Sequence, residues 1–384
     1  MQGIPESVRR AAGLGRAGAA MVLAAWLGVP AGPARAATVV EPAARLVLEG
    51  GYDSNVYLDG RGGDRMGRVS PDVGVLVKDH LYRLGLGYGA DLLLYPTLVS
   101  HAVTNHRGEL RLDWRPARRW TAELDAKGTY TLDPVGLAQV GVLAKGGQAL
   151  LLRGGARVAW RAEKPLRLAL TFQERAVRFD DGTGAAAHVP GVEAAWILSE
   201  RDELAAAYRL DLFRPIGATA FQGAEAHEAK AIYRRKLDRR YALELEGGPA
   251  LWTRGGQVSV VPEGAATLLY NHRWVDLRFT AQHGLALGAL AHPGLYDAVE
   301  AGVAWRAGRT WRLAADSGVW RGGDVPTGDN AVTGYLLGGE LTYLFGNGLS
   351  MGVAASRFAR FDDPSPAHAR NLVGLRVGWE LKPR

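Results

Sequence analysis

The chain has no cysteine among its 384 residues, which excludes a disulfide framework and any Cys-ligated metal site. It also lacks a helical run of 18 apolar residues, so an α-helical membrane protein is excluded. No stretch is rich enough in proline, glycine, serine or charge of one sign to read as a linker, and one large domain is expected. Catalytic signatures are missing too. The nine histidines are scattered, and there is no HExxH, no GxSxG and no glycine loop leading from strand to helix. A barrel lipase needs Ser and His side by side, and neither Ser317 nor Ser356 has a His that the sequence places beside it. Glu244 and Glu246 share a strand face, but such spacing is common and nonspecific. No catalysis and no cofactor are expected.

What is present begins with an N-terminal targeting pattern. Arg9, Arg10 and Arg16 precede the apolar run from Ala17 to Val29, and Ala34-Arg35-Ala36 offers a small-x-small cleavage site. Residues 1–36 therefore read as a signal peptide and residues 37–384 as a single outer-membrane domain. Removing the peptide lowers the formal charge from +7 to about +4, so the basic excess gives nucleic-acid binding little support.

Turn-forming clusters then recur down the chain: Lys78-Asp79-His80, Arg115 to Arg118, Ala162 to Pro165, Ser199 to Asp202, Lys236 to Arg239, Asn271 to Arg273, Ala307 to Arg309 and Gly346 to Gly348. Each neighbouring pair encloses two segments that alternate apolar and polar residues. In one, Trp120, Ala122, Leu124, Ala126, Gly128 and Tyr130 share a face, while Thr121, Glu123, Asp125, Lys127, Thr129 and Thr131 share the other. Such alternation predicts an all-β protein, a transmembrane antiparallel up-and-down β-barrel of about 18 strands. Connections should alternate between 3 or 4 residues and roughly 5 to 15, with the short turns and both termini on the periplasmic side. Near-neutral mean hydropathy, −0.07, fits a wall in which only every second residue meets lipid. A soluble β-sandwich also alternates, but its strands are usually about 5 or 6 residues long, and these segments are roughly twice that.

Aromatic placement favours the membrane reading. Trp114, Trp120, Trp160, Trp196, Trp274, Trp305 and Trp311 lie close to short turns and Trp379 near the C-terminus, a candidate interfacial girdle. Tyr52, Tyr95, Tyr130, Phe179, Phe213, Trp252, Trp320 and Phe358 occupy the opposite strand ends and are expected to form a second girdle. Leu124, Leu168 and Leu210 should meet lipid near mid-bilayer, with Thr171 on the inner face. Candidate lumen-lining residues are Arg107, Glu109, Arg111, Asp113, Glu123, Asp125, Lys127, Arg153, Arg157, Arg161, Arg209, Asp211, Glu244, Glu246 and Arg376, with Lys230, Glu193 and Glu300 among others. The signs balance, so ion selectivity should be modest, although an arginine strip can form at Arg153, Arg157, Arg161, Arg167 and Arg175. Cross-strand pairing is the plainer role for any one of these charges. Asp53, Asp59 and Asp64 in one loop, and Asp324 and Asp329 in another, have cation-ligand chemistry but read more simply as Asx/Gly turns, and no metal site is expected.

One resemblance adds to this. Gly51-Tyr52-Asp53-Ser54-Asn55-Val56-Tyr57-Leu58, followed by Val69-Ser70-Pro71-Asp72-Val73-Gly74-Val75, resembles the start of β-barrel porins found with bacterial exopolysaccharide secretion systems. It implies an outer-membrane exit for polysaccharide, with periplasmic polysaccharide-export proteins as partners beside the surrounding lipid. Many outer-membrane barrels end in an aromatic residue that assembly machinery reads; this chain departs from that pattern in ending Leu381-Lys382-Pro383-Arg384. Two other classes share the architecture: a general diffusion porin for small hydrophilic solutes, and a non-conducting structural or adhesive barrel.

Overall fold

The computed structural model describes residues 38–56, 62–97, 103–131, 148–217, 223–287, 293–323, 325, 332–362 and 368–381. The segment read as a signal peptide, Asp59, Asp324, Asp329 and the Leu132 to Gly146 loop lie outside them. The described residues form eighteen strands: β1 Val39–Asp53, β2 Asp64–Lys78, β3 Tyr82–Leu94, β4 Val103–Ala117, β5 Trp120–Thr131, β6 Ala149–Arg161, β7 Leu166–Phe179, β8 Gly184–Ile197 and β9 Asp202–Ile216. They continue as β10 Ala224–Lys236, β11 Tyr241–Arg254, β12 Gln257–Asn271, β13 Val275–Leu287, β14 Pro293–Ala307, β15 Trp311–Gly323, β16 Val332–Leu344, β17 Leu349–Asp362 and β18 His368–Leu381.

Every strand pairs antiparallel with its sequence neighbours, and β1 also pairs with β18, from Ala44↔Leu381 to Asp53↔Leu372. The sheet is therefore closed, all-β and up-and-down. At one rim the connections are all short, with Asp79 to Leu81, Arg118-Arg119 and Leu237 to Arg240 as examples. In the last of these, Asp238 accepts the amides of Arg240 (2.6 Å) and Tyr241 (2.8 Å). Those amides hold its carboxyl below the ordinary Asp value, so this turn loses their support as pH falls into the acid range.

The other rim departs from the expected pattern at two places. Asp180 to Thr183 is only a four-residue turn, and β11 joins β12 through Gly255-Gly256 alone. Both glycines have positive φ (57° and 81°), the twist that a two-residue hairpin requires. It is called the long-loop rim below, because β1 and β2, and β5 and β6, whose ends meet there, are the most widely separated in sequence.

The surface is the reverse of a soluble protein's. Leu170, Val192, Leu251, Val319, Val353 and Leu375 are exposed, whereas Asp53, Glu193, Glu228 and Arg370 are buried. An apolar exterior of this extent is stable only against lipid. Leu124 and Leu168 are exposed on it, and Leu210 lies on the same face of β9 as the exposed Tyr208.

The expected second girdle is not on this exterior. Tyr95, Phe179, Phe213, Trp252, Trp320 and Phe358 are buried, and only Tyr52 and Tyr130 keep to the lipid side. Strand parity is the reason: Phe179, Phe213, Trp252, Trp320 and Phe358 alternate with exposed neighbours and fall on the inner face. Phe213 packs on Trp252 (ring centroids 5.5 Å apart), and Trp320 lies where a side chain at Gly334 would need to be, 2.3 Å from an added Cβ.

Closure is reinforced by a buried clasp. Arg370 of β18 donates through Nε to Asp53 of β1 (2.9 Å), and the Tyr95 hydroxyl donates to the same carboxylate (3.2 Å). Asp53 is 0% and Arg370 2% exposed. Beside them Asn55 Nδ2 donates to the Ala369 carbonyl (3.0 Å) and the Asn371 amide to Ser54 Oγ (2.8 Å). Asp53 is thereby committed to Arg370, and Asp64 accepts the amides of Arg65 and Thr97 (both 2.8 Å). These two carboxylates serve chain geometry.

Two outcomes follow for folding. Arg at Leu124, Leu168 or Leu210 should cost about 2–4 kcal/mol each, with a much smaller loss for Thr171→Arg, in urea unfolding of the lipid-reconstituted barrel. Asp53→Ala strands a buried guanidinium and should cost about 3–5 kcal/mol, while Asp53→Leu with Arg370→Met recovers most of that loss.

Candidate functional site

The interior narrows along its length. Nearer the short-turn rim lie two chambers of about 720 and 900 Å³, one lined by Arg45, Asp72, Arg83, Glu109 and Lys127, the other by Arg157, Arg167, Glu203, Arg234 and Arg278. Toward the long-loop rim the space falls to about 150 Å³, between Arg175, Asp211, Lys230, Glu263 and Tyr296. At this level β8 and β13 approach across the interior, with Cα atoms within 8 Å.

Most inner charges are paired across strands. Glu193 of β8 sits between Arg157 of β6 (2.8 Å) and Arg234 of β10 (3.2 Å). Arg234 also reaches Glu203 (2.7 Å) and Glu244 (2.8 Å), and Arg167 meets Glu203 (2.7 Å). Arg376 joins Glu49 (3.0 Å) and Glu340. Arg107 bridges Asp91 and Asp72, and Arg209 faces Glu246 at 3.6 Å. Arg111 meets Asp113 of its own strand at 3.7 Å. Glu123 stands directly opposite Arg157, Asp125 opposite Arg111, and Glu109 opposite Lys127 in the register. Most of these pairs join strands one or two apart, so the lattice ties the sheet together across its ladders.

The arginine strip expected from the sequence is thereby broken up. Arg157 and Arg167 are neutralised by carboxylates on neighbouring strands. What remains is a different grouping, set by register: Lys127 of β5 opposes Arg153 of β6, which opposes Arg175 of β7. Three like charges in one row are destabilising, and none of the three has an ion pair among the described residues. Arg161 likewise has none and opposes Arg167.

Facing this row at the narrow level is a carboxylate-rich group on β9 to β12. Lys230 Nζ lies 2.8 Å from Glu228, 2.7 Å from Glu263 and 3.9 Å from Glu246. Asp211 is buried beside them, and its Oδ1 has no hydrogen-bond partner among the described residues. Glu203, Glu228, Arg234, Glu263 and Arg370 were not singled out from the sequence, and Asp53 was singled out only as a loop carboxylate. Alternation down Glu228, Lys230, Ile232 and Arg234 could have found the β10 members. No local signal brings Asp53 to Arg370, 317 residues away. Among the described residues no group of three or more His, Asp or Glu is placed to hold a metal ion.

The candidate girdle tryptophans sit as follows. Trp114, Trp120, Trp196, Trp274, Trp305, Trp311 and Trp379 are exposed within a few residues of the short-turn rim. Trp160 stacks on Trp120 (6.1 Å), and Arg273 lies 4.2 Å over the Trp274 ring.

No protein-family model and no curated protein matches the chain. Among solved structures it is similar to OccAB3 of Acinetobacter baumannii, at 10% identity over 89% of this chain and 99% of that one, with a TM-score of 0.47. It is also similar to a BenF-like porin from Pseudomonas fluorescens Pf-5, at 7% identity over 90% and 98% of the chains (TM-score 0.47). OpdQ of Pseudomonas aeruginosa gives 10% identity over 89% and 97% (TM-score 0.44). Likeness at this level says nothing about solute or mechanism.

The two kinds of inner charge should separate in stability measurements. Arg234→Gln removes the centre of a carboxylate cluster and should cost about 1–3 kcal/mol, allowing for its partial exposure. Arg153→Gln relieves repulsion and should leave urea stability unchanged or slightly raised.

Proposed function

We propose that this protein is a diffusion channel of the bacterial outer membrane for small hydrophilic solutes, delivered there by cleavage of the N-terminal signal peptide. The observation that carries this reading is the charge separation at the narrow level. Arg175, with Arg153 beside it in the register, stands on one side, and Asp211, Glu228 and Glu263 stand on the other. A row of unpaired cations opposite carboxylates sets a transverse field in the passage, which orients a small polar or charged solute as its water shell is stripped. The paired lattice below keeps the wider chambers rigid and wet. The tryptophans at the short-turn rim anchor the barrel at the periplasmic interface, and the long-loop rim faces outward.

Export of polysaccharide rests on the resemblance in β1 and β2 alone. Those residues have a structural use: Asp53, Ser54 and Asn55 make the β1–β18 clasp, and Ser70 donates to Asp91 (2.5 Å) beside Arg107. A motif explained by closure carries no information about cargo. The narrow level also favours small solutes over a polymer.

Reconstituted barrels should conduct in planar bilayers and admit small neutral sugars in liposome swelling. Selectivity should be modest and should weaken in high salt. Replacing Lys127, Arg153 and Arg175 together by Gln should move the reversal potential toward cations. A deletion strain should keep its surface polymer; loss of polymer with its synthesis intact would favour the export reading. A barrel that never conducts would favour the structural one.

A further inference from the structure

The wall is incompletely sewn at one place. Prolines inside strands interrupt the ladder, because they offer no N–H. At Pro71, Pro190 and Pro249 the pairing skips two residues and resumes. At Pro262 it does not resume. The β12–β13 ladder runs from Asn271↔Asp276 to Gly264↔His283 and ends there, although both strands continue toward the long-loop rim. Above that point Gln257 to Glu263 pairs with β11 alone, and Gly284 to Leu287 with β14 alone, among the described residues.

The free ends do not splay. Leu285 and Leu295 belong by parity to the lipid face, yet they pack against the interior cluster of Phe213, Ala250, Trp252 and Val261. The upper end of β13–β14 is thus tucked inside β11–β12, and the sheet overlaps itself like a scroll. Among the described residues one hydrogen bond spans the join: the Leu285 amide donates to Glu263 Oε1 (2.8 Å), in place of the missing ladder. Outside the join, Val258 and Val260 are 62% and 67% exposed, continuing the lipid-facing surface.

We infer that this seam is a lateral portal, through which an amphipathic solute with an apolar alkyl or aryl body passes between the barrel interior and the surrounding lipid. Elsewhere the wall is closed by ladder hydrogen bonds that cannot be spared in hydrocarbon. Here closure depends on apolar side-chain packing and one carboxylate, and an apolar guest replaces packing of that kind at little cost. Phe213, Trp252, Val261, Leu285 and Leu295 would line its path. The Lys230 group with Asp211, Glu228 and Glu263 lies directly beneath, where a polar head would remain in the aqueous interior. The inference rests on the barrel crossing a membrane, and goes beyond the passage of small hydrophilic solutes.

The test uses the full-length barrel in liposomes containing a membrane-confined alkyl diazirine, with labelled residues mapped by mass spectrometry. The probe is insoluble in water, so it reaches Trp252 and Phe213 only through the wall. In the unmodified barrel, interior residues should label at a sizeable fraction of the level of Leu251 and Val260 outside. The chain has no cysteine of its own, so Val261→Cys with Leu285→Cys can be locked with a bis-maleimide. Locking should cut interior labelling at least tenfold and leave exterior labelling unchanged. Glu263→Gln should raise interior labelling about threefold. Pro262→Val, which restores an N–H, should lower it and serves if the double variant fails to fold. Interior residues that stay unlabelled in the unmodified barrel, or that label equally after locking, would overturn the portal. Bilayer conductance of the same samples separates the two readings: conduction without interior labelling removes the portal and keeps the channel, and labelling without conduction does the reverse.

Discussion

Every other feature of this barrel is arranged around the pairing of backbone N–H and C=O groups in a medium that offers them no water. Strands of 12 to 15 residues pair on both sides around the circumference except at the upper β12–β13 join, and the first is returned to the last. The buried Asp53–Arg370 pair stands at that return, where chain connectivity offers no help. Its net contribution to stability is small once desolvation is counted, but it specifies which strands meet, because either charge alone would be prohibitive there. The prolines test the same constraint. Pro71, Pro190 and Pro249 are absorbed as two-residue gaps with ladder on either side, whereas Pro262 lies where the sheet stops pairing and overlaps instead.

The interior obeys a second rule. A charge that meets an opposite one on a strand one or two away acts as a rivet, and Glu193, Arg157, Arg234, Glu203 and Arg167 form one continuous patch of this kind. A charge whose cross-strand neighbours both carry its own sign contributes nothing to holding the wall, and Arg153, between Lys127 and Arg175, is in that position. The distinction comes from register. Shifting one strand by two residues would exchange rivets for free charges without altering composition. The aromatic side chains divide similarly: tryptophans near the short turns face lipid, and those at the opposite rim face inward and narrow the passage.

Much of the architecture was legible in the chain itself. Period-two alternation over long segments implies a two-faced sheet, and the even count of about 18 strands follows from eight repeated turns. Leu124 and Glu123 have opposite environments because they are adjacent in an extended backbone, a local fact that needs no tertiary information. The inward aromatics were misread because proximity to a strand end gives height along the wall, whereas parity alone gives the face. Phe213 and Trp252 have the parity of Asp211 and Ala250, and that assigns them to the interior. Tertiary structure alone decided the clasp, the breaking of the Arg153-to-Arg175 strip and the seam at Pro262. These depend on the stagger between strands and on contacts between residues far apart in sequence. Each strand's own sequence sets which face a residue takes, but the partner strand sets which charge it meets, and that is determined only when the sheet closes.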